Sequence, residues 1–417
     1  MRLVMSNMKN ILRARTAPMI GNLSAYAYAN TLTEILGDIY TAMDVVSREL
    51  VGYIPSVMRA PGVEAAAVGQ TVTYPIAPPQ TASDIVPAMT PPSNNDNVFD
   101  TGTMTITKAR AAKFNFVGEE QRALNAGSGP NYQSAQAMII AQALRTLTNE
   151  VEGDLATTAR IAASRAWGTA GTTPFGTSVD HLNDVAQVRK ILDDNGAPMT
   201  GRSMVLNTSA GANLRSVKNL TRVNEAGDQM TLRQGELLDI FGFSVKETGQ
   251  ARSHTAGTAT SATTNNAGYA VGATTITLAS AGTGTFVAGD VVSFAGDANR
   301  YLLVSGDADV SGGGTIVLAA PGLRQAIPAS TTAITRTASY NVAGVGFSMD
   351  ALHLAARPPA RPVQGDLAID VTTVTDPRSG LTFEFAVYPG YRMMYGEIGL
   401  AWGTHASKTE HISLLLG

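Results

Sequence analysis

The chain has no cysteine among its 417 residues. That excludes a disulfide framework, a zinc ribbon and a thiol nucleophile. Charge is scarce as well: 15% of residues are charged, against about 25% in an ordinary soluble domain. The apolar share is a normal 44%, so this is not the polar, highly charged type of chain that stays disordered. No uncharged apolar run reaches the roughly 18 residues of a membrane span. The net charge of −3 argues against a protein that grips nucleic acid by neutralising phosphates, which needs a basic face. What remains is a chain long enough for two or three domains and a sizeable core.

The N-terminus is basic. Arg2, Lys9, Arg13 and Arg15 precede the first acid, Glu34. No apolar core of a secretory signal follows them. A mobile basic arm is preferred here to an organellar transit peptide. Residues 22–51 predict a helix, with Leu32, Leu36, Ile39, Met43, Val46 and Leu50 at spacings of three and four. Gly37 weakens its middle, and Pro55 and Pro61 close the segment. The stripe fits a core helix and an arm packed on a neighbouring subunit equally well.

Residues 62–117 are of another kind. Six prolines between Pro75 and Pro92 forbid a helix. Thr71–Tyr74 and Met104–Thr107 read as two strands, and Ser93–Asn97 as turn-like. A hairpin so thin is marginal alone in water and should lie against its own body or a neighbour. Residues 131–166 then hold no Pro and only Gly153. Ile140, Leu144, Leu147, Val151 and Leu155 form a helical stripe. About 36 residues would span on the order of 54 Å, a long spine. A shorter helix follows at 178–195, with Ser178 or Asp180 as its cap and Asn195-Gly196 as its stop. Strands are expected at 203–207 and 241–246.

Composition changes near residue 250. Residues 251–340 hold only eight charged residues, with no Lys and no Glu. Short strands are expected at 275–278, 291–294, 301–304 and 315–318. Gly289-Asp290, Gly296-Asp297 and Gly306-Asp307 punctuate them. This pattern suggests a small all-β barrel or sandwich, inserted into a mixed chain that resumes near 341. Beyond it, strands are expected at 343–347, 383–387, 391–395 and 411–416, with a short helix at 349–354 and a Pro-rich stretch at 357–362.

Motifs that carry chemistry are few. The histidines are His181, His254, His353, His405 and His411, and no pair has an HxxxH or HExxH spacing. There is no P-loop and no GxSxG elbow. Gly282-Thr283-Gly284 has Val287 where a dinucleotide loop needs its third glycine. Asp307, Asp309, Ser311 and Gly312 match part of a calcium loop, but Leu318 stands where the last carboxylate belongs, so a hairpin turn is the better reading. Glu119-Glu120 and Asp193-Asp194 are paired in sequence only, since neighbours on a helix point different ways. No enzyme activity, cofactor or metal is expected.

Four stretches resemble one family. They are Val188–Pro198 leading into Gly201–Asn207; Ile240–Val245; Phe347–Ala355 followed by Arg357-Pro358; and Gly289–Gly296. Together they look like the major capsid (coat) proteins of tailed double-stranded-DNA bacteriophages, which share the Hong Kong 97 type fold. The last stretch points to the short-tailed-phage subgroup with an inserted β-barrel domain. The resemblance implies an α+β fold. Its parts would be an N-terminal arm at 1–61, an extended E-loop at 62–117 and a P-domain with the spine helix at 118–177. An A-domain would begin at 178–250, be interrupted by the insertion at 251–340, and finish with C-terminal P-domain strands at 341–417.

It further implies self-assembly as hexamers and pentamers into an icosahedral virion head that encloses double-stranded DNA, built in the bacterial host cytoplasm. No long helical assembly segment precedes the arm, so a separate scaffolding protein is implied, with a portal and a decoration protein as further partners. The subunit contacts expected are the arm stripe Leu36, Ile39 and Met43, the E-loop residues Tyr74, Met104 and Ile106, and the A-domain tips near the capsomer axis. An encapsulin-like compartment is the first alternative. A secreted β-rich adhesin is the second, and it would need a signal peptide.

Overall fold

The computed structural model describes residues 40, 42–43, 48–60, 64–76, 84–85, 87, 89, 100–126, 132–176, 182–217, 239–362 and 364–417. In chain order the elements begin with β1 (Met58–Arg59), β2 (Thr71–Ile76), β3 (Asp100–Thr105) and β4 (Lys108–Val117). Then come α1 (Gly118–Ala126), α2 (Tyr132–Ala162), β5 (Arg165–Trp167), α3 (Asn183–Asp194), β6 (Arg202–Asn207) and α4 (Thr208–Arg215). The β-rich stretch holds β7 (Ser244–Thr248), β8 (Ser253–His254), β9 (Thr275–Leu278), β10 (Val291–Phe294), β11 (Tyr301–Ser305), β12 (Gly314–Leu318) and β13 (Ile334–Arg336). The chain ends with β14 (Tyr340–Ser348), β15 (Leu352–Arg357), β16 (Asp370–Thr375), β17 (Thr382–Gly390), β18 (Met393–Ala406) and β19 (Ile412–Leu416). The fold class is α+β.

The chain divides into two compact units. The first comprises Met1–Arg48, Arg110–Leu147 and Pro358–Leu400. The second comprises Glu49–Ala109, Thr148–Arg357 and Ala401–Gly417.

In the first unit β16, β17 and the N-terminal half of β18 form an antiparallel sheet. Phe383 and Phe385 of β17 and Val374 of β16 are buried. Phe114 of β4 lies 6.0 Å from Phe385, ring centre to ring centre. Arg48 reaches the turn after β16 and binds Asp376 through both terminal guanidinium nitrogens.

The second unit has two cores. One lies between α3 and α4 and the sheet order β7-β6-β14-β19-β5. Val185, Val188 and Leu192 of α3 and Leu214 of α4 meet Met204, Leu206, Ala343 and Leu415 there. Burying each large aliphatic side chain contributes roughly 1.5–3 kcal/mol. The other core belongs to a barrel. Strands pair in the order β9-β12-β11-β10-β13, all antiparallel. The segment 262–265 then closes the ring: Thr263 bridges to Ala333 beside β13, and Thr264 bridges to Leu278 of β9. Ile276, Leu278, Val292, Phe294, Tyr301, Leu303, Ile316, Leu318 and Ile334 fill the inside. They recur at every second position, as a strand requires. The barrel is hydrogen-bonded to the body where Tyr301 of β11 pairs with Arg165 of β5.

Several sequence expectations need correction. Residues 48–51 are not helical, and the rest of the predicted 22–51 helix lies outside the described residues except 40 and 42–43, which are helical. The spine ends at Ala162, because β5 starts at Arg165 and pairs with β19. Phe241 and Gly242 take positive φ and make a turn, so that strand begins at Ser244. The helix expected at 349–354 is one 3-10 turn, Met349–Ala351, and Leu352 starts β15. Tyr391 and Arg392 form the tight turn before β18. Thr107 lies past the end of β3. Ser178, Asp180 and His181 lie outside the described residues; Leu182 is the N-cap residue of α3 and makes no side-chain cap.

Candidate functional site

The hairpin of β2 and β3 has two unlike faces. Val72 pairs with Met104 and Tyr74 with Gly102, so these four share one face. Thr71, Thr73, Thr101, Thr103 and Thr105 alternate with them and are exposed. The inner face seats on a sheet in the same unit, made by β1, β15 and the C-terminal half of β18. Met104 and Ile106 are buried there with Ala66, Ala355 and Ala401, and Val72 and Tyr74 pack at the margin. The seat is close: a Cβ at Gly403 would stand 2.2 Å from the Thr105 carbonyl oxygen. Thr107 N–H donates to the Trp402 carbonyl at 3.1 Å. Lys108 is held below by Asp154, 2.8 Å away, and Trp402 Nε1 donates to the same carboxylate at 2.9 Å.

Of the six expected contact residues, Leu36 and Ile39 lie outside the described residues. Met43 is buried in the first unit. Tyr74, Met104 and Ile106 come together in the seat just described. Burial pushes the Tyr74 hydroxyl up from its ordinary pKa.

Two anchors escaped the sequence reading. Glu152 of α2 is fully buried and accepts from the backbone N–H groups of Gly52, Tyr53 and Ile54 at 2.7, 2.8 and 3.0 Å. It ties the segment before β1 to the helix. Tyr53 stacks on Phe347 at 6.0 Å; burial, and then the Glu152 charge, drive its pKa far up. The other anchor is a buried relay. Arg160 of α2 donates to His254 Nδ1 at 2.9 Å, which leaves Nε2–H to donate to Asp290 at 2.8 Å. It fixes the barrel turn at 289–290 to α2. No periodic signal announces either; only the odd placement of an acid in an apolar stripe marks Glu152.

The first unit exposes several large apolar side chains near one sheet edge. Strand β16 pairs only with β17 and so forms a sheet edge among the described residues. Leu367, Ile369 and Tyr391 are 81%, 65% and 89% exposed, and Val371 is exposed beside them. Arg361 joins Glu384 at 2.9 Å and Asp366 at 3.5 Å across the same sheet.

Several groups able to do chemistry are engaged structurally among the described residues. Asp193 binds Arg202 and Arg189, and Asp194 binds Arg165. Glu120 accepts from the Val117 N–H. Asp307 and Asp309 accept from backbone within the loop joining β11 to β12. His411 is buried, and burial holds it below the ordinary imidazole range. A cavity of about 490 Å³ opens beside Trp167, Thr172, Phe175, Asp184 and Arg300. Its carboxylate, Asp184, is occupied by Trp167 Nε1 at 3.0 Å and Phe175 N–H at 3.3 Å. Among the described residues no cluster of three or more His, Asp or Glu is placed to hold a metal ion, and no helix is long and apolar enough to cross a membrane.

No family model matches the chain, and no curated protein matches it. Solved structures do. One described as Mycobacterium phage Che8 is 12% identical, with 89% of this chain and 92% of that one covered, at a TM-score of 0.46. The capsid of Cyanophage P-SCSP1u is 9% identical, with 89% of each chain covered, at 0.48. The capsid of a native GTA particle is 12% identical, with 89% and 91% covered, at 0.45. At such identities and scores, the reading of function rests on this chain's own residues.

Proposed function

We propose that the chain is a structural protein, the major capsid protein of a tailed double-stranded-DNA bacteriophage with the Hong Kong 97 type fold. It assembles with itself, as hexamers and pentamers, into an icosahedral head that encloses DNA without reading its sequence. The observation that carries this reading is the open edge of β16 with exposed apolar side chains around it: Val371 on the strand, Leu367 and Ile369 just before it, and Tyr391 in the turn between β17 and β18. A sheet edge with apolar side chains is a pairing and aggregation liability for a chain that stays alone. It is the expected state of a subunit whose neighbours are absent. The four sequence stretches described above supply the kind of assembly. On this reading the seated hairpin would serve as the E-loop, the β-barrel as the inserted domain and α2 as the spine, and the presence of all three in the chain supports it. Scaffolding, portal and decoration proteins are its expected partners, and the bacterial host cytoplasm its place of assembly. Scarce charge suits a container whose DNA must move, since a strongly basic lining would hold it.

Expression with and without the neighbouring genes, followed by negative-stain microscopy, tests the proposal. Shells, tubes or aberrant polymers are expected. A monodisperse monomer in every condition overturns it. Nuclease-protected DNA in the particles separates a genome container from an encapsulin-like compartment, which would hold protein cargo instead.

A further inference from the structure

Two histidines lie under the hairpin. His353 of β15 and His405 of β18 are direct cross-strand partners, in register with Ala355–Gly403 and Arg357–Ala401 on the same face. Tyr74 stacks on His353 with ring centres 4.9 Å apart and planes 12° apart. It lies 6.1 Å from His405, tilted by 50°. Both imidazoles are half-buried. They therefore stay in exchange with solvent protons while the seated hairpin limits their hydration.

Few charges surround them. Among the described side chains of the hairpin strands, Tyr74 is the titratable one. On β15, Arg357 stands at the far end of the same face. On β1, Met58 is opposite His353 and Arg59 follows. In the 3-10 turn, the Asp350 carbonyl is 3.1 Å from His353 Nε2, and the Asp350 carboxylate is paired with Lys408 at 3.1 Å. Among the described residues no carboxylate is hydrogen-bonded to either imidazole. Burial, and then the neighbouring His353, hold His405 below the ordinary imidazole range.

We propose that the His353–His405 pair is a proton-operated latch for the hairpin: neutral, it seats Tyr74; doubly charged, it releases the hairpin from the sheet. Like charges directly opposite each other across an antiparallel pair repel, and here they would also be denied water. The released state takes up protons more readily. Linkage therefore favours the seated hairpin above the ordinary imidazole pKa of about 6.5, and the released one as pH falls below it. One charged imidazole gains a cation–π contact with Tyr74 that opposes release. The second proton, placed opposite the first, tips the balance. The latch concerns one chain and does not require the shell reading; within a shell it would free the hairpin for a neighbouring copy.

Hydrogen exchange of the full-length protein, corrected for the pH dependence of intrinsic exchange, tests it. In the wild type, protection of residues 101–106 should fall by about fivefold or more from about pH 7.5 to about pH 5, while the barrel strands β9–β12 hold theirs. The double variant His353→Gln/His405→Gln should keep hairpin protection level across that range. Constant wild-type protection, or an equal loss in the double variant, overturns the latch. Should that variant not fold, imidazole NMR titration of the wild type decides. His353 and His405 must titrate over the range in which hairpin protection falls, and a mismatch overturns the proposal.

Discussion

Arg48 and Asp376, 328 residues apart, form a two-pronged ion pair at 2.5 and 2.6 Å, with the carboxylate fully buried. Ser379 Oγ and the N–H groups of Arg378 and Ser379 complete the carboxylate's partners, at 2.5, 3.2 and 3.2 Å. Removing one partner strands the other charge out of water. Arg48→Ala should therefore destabilise the first unit by about 3–5 kcal/mol. The double variant Arg48→Met/Asp376→Leu should lose less than either single charge deletion. Urea unfolding of Arg48→Ala, Asp376→Leu and the double variant measures both outcomes.

The same pair sets an acid limit. Burial by itself would raise the Asp376 pKa, but hydrogen bonds from Arg48 and Ser379 and the Arg48 charge outweigh it and hold the carboxyl below its ordinary value. A carboxyl depressed in the folded state contributes stability above its unfolded pKa of about 3.9, and that contribution is lost as pH falls through the folded value. Wild type should lose stability below about pH 4. Asp376→Asn should be weaker at neutral pH and flatter in that range, as read by thermal melts across pH.

Glu152 satisfies three backbone donors that have no water to turn to. Glu152→Ala should cost about 3 kcal/mol or more, and Glu152→Gln less, because an amide oxygen still accepts. Limited proteolysis at 50–57 should report the freed segment in both.

Gly403 lets the hairpin backbone approach the sheet. A larger side chain at this position meets the Thr105 carbonyl, which is backbone and cannot swing away. Gly403→Val should unseat the hairpin and raise exchange at 104–107 while the barrel stays protected. Unchanged exchange there would contradict the seat.

Gly153 behaves differently. A Cβ there would meet the Arg252 guanidinium at 2.0 Å, but that group is the far end of a long, exposed side chain that can turn away. Its Nε makes only a 3.3 Å bond to the Gly153 carbonyl. Helix propensity should win, and Gly153→Ala should stabilise α2 by up to about 1 kcal/mol in thermal unfolding.

Much of the architecture was legible because the strands carry their own alternation. The barrel strands 275–278 and 291–294 were read at the bounds observed, and 301–304 and 315–318 within one residue of them. The hairpin was legible from Val72, Tyr74 and Met104 set among threonines. Where the reading failed, tertiary pairing overrode propensity. Leu352, Leu354 and Ala355 suit a helix, yet β15 lies between β1 and β18 and takes their extended form. Strand β4, with Lys108, Arg110 and Lys113, gave no clear apolar pattern, and β16 hides behind three threonines and two valines without a large residue.

The sequence by itself determined the local items: helix stripes, strand alternation, the turns at Gly196, Gly289 and Gly296, and the absence of thiol chemistry. These follow from spacings of two to four residues, which the backbone geometry reads directly. Only the tertiary structure decided which elements meet. Closure of the barrel by Thr263 and Thr264, the capping of residues 52–54 by Glu152, the Arg48–Asp376 pair and the histidines beneath Tyr74 all join residues far apart in the chain. Such contacts are fixed by which faces can be buried together without stranding a charge or a backbone donor, and no local pattern encodes that choice.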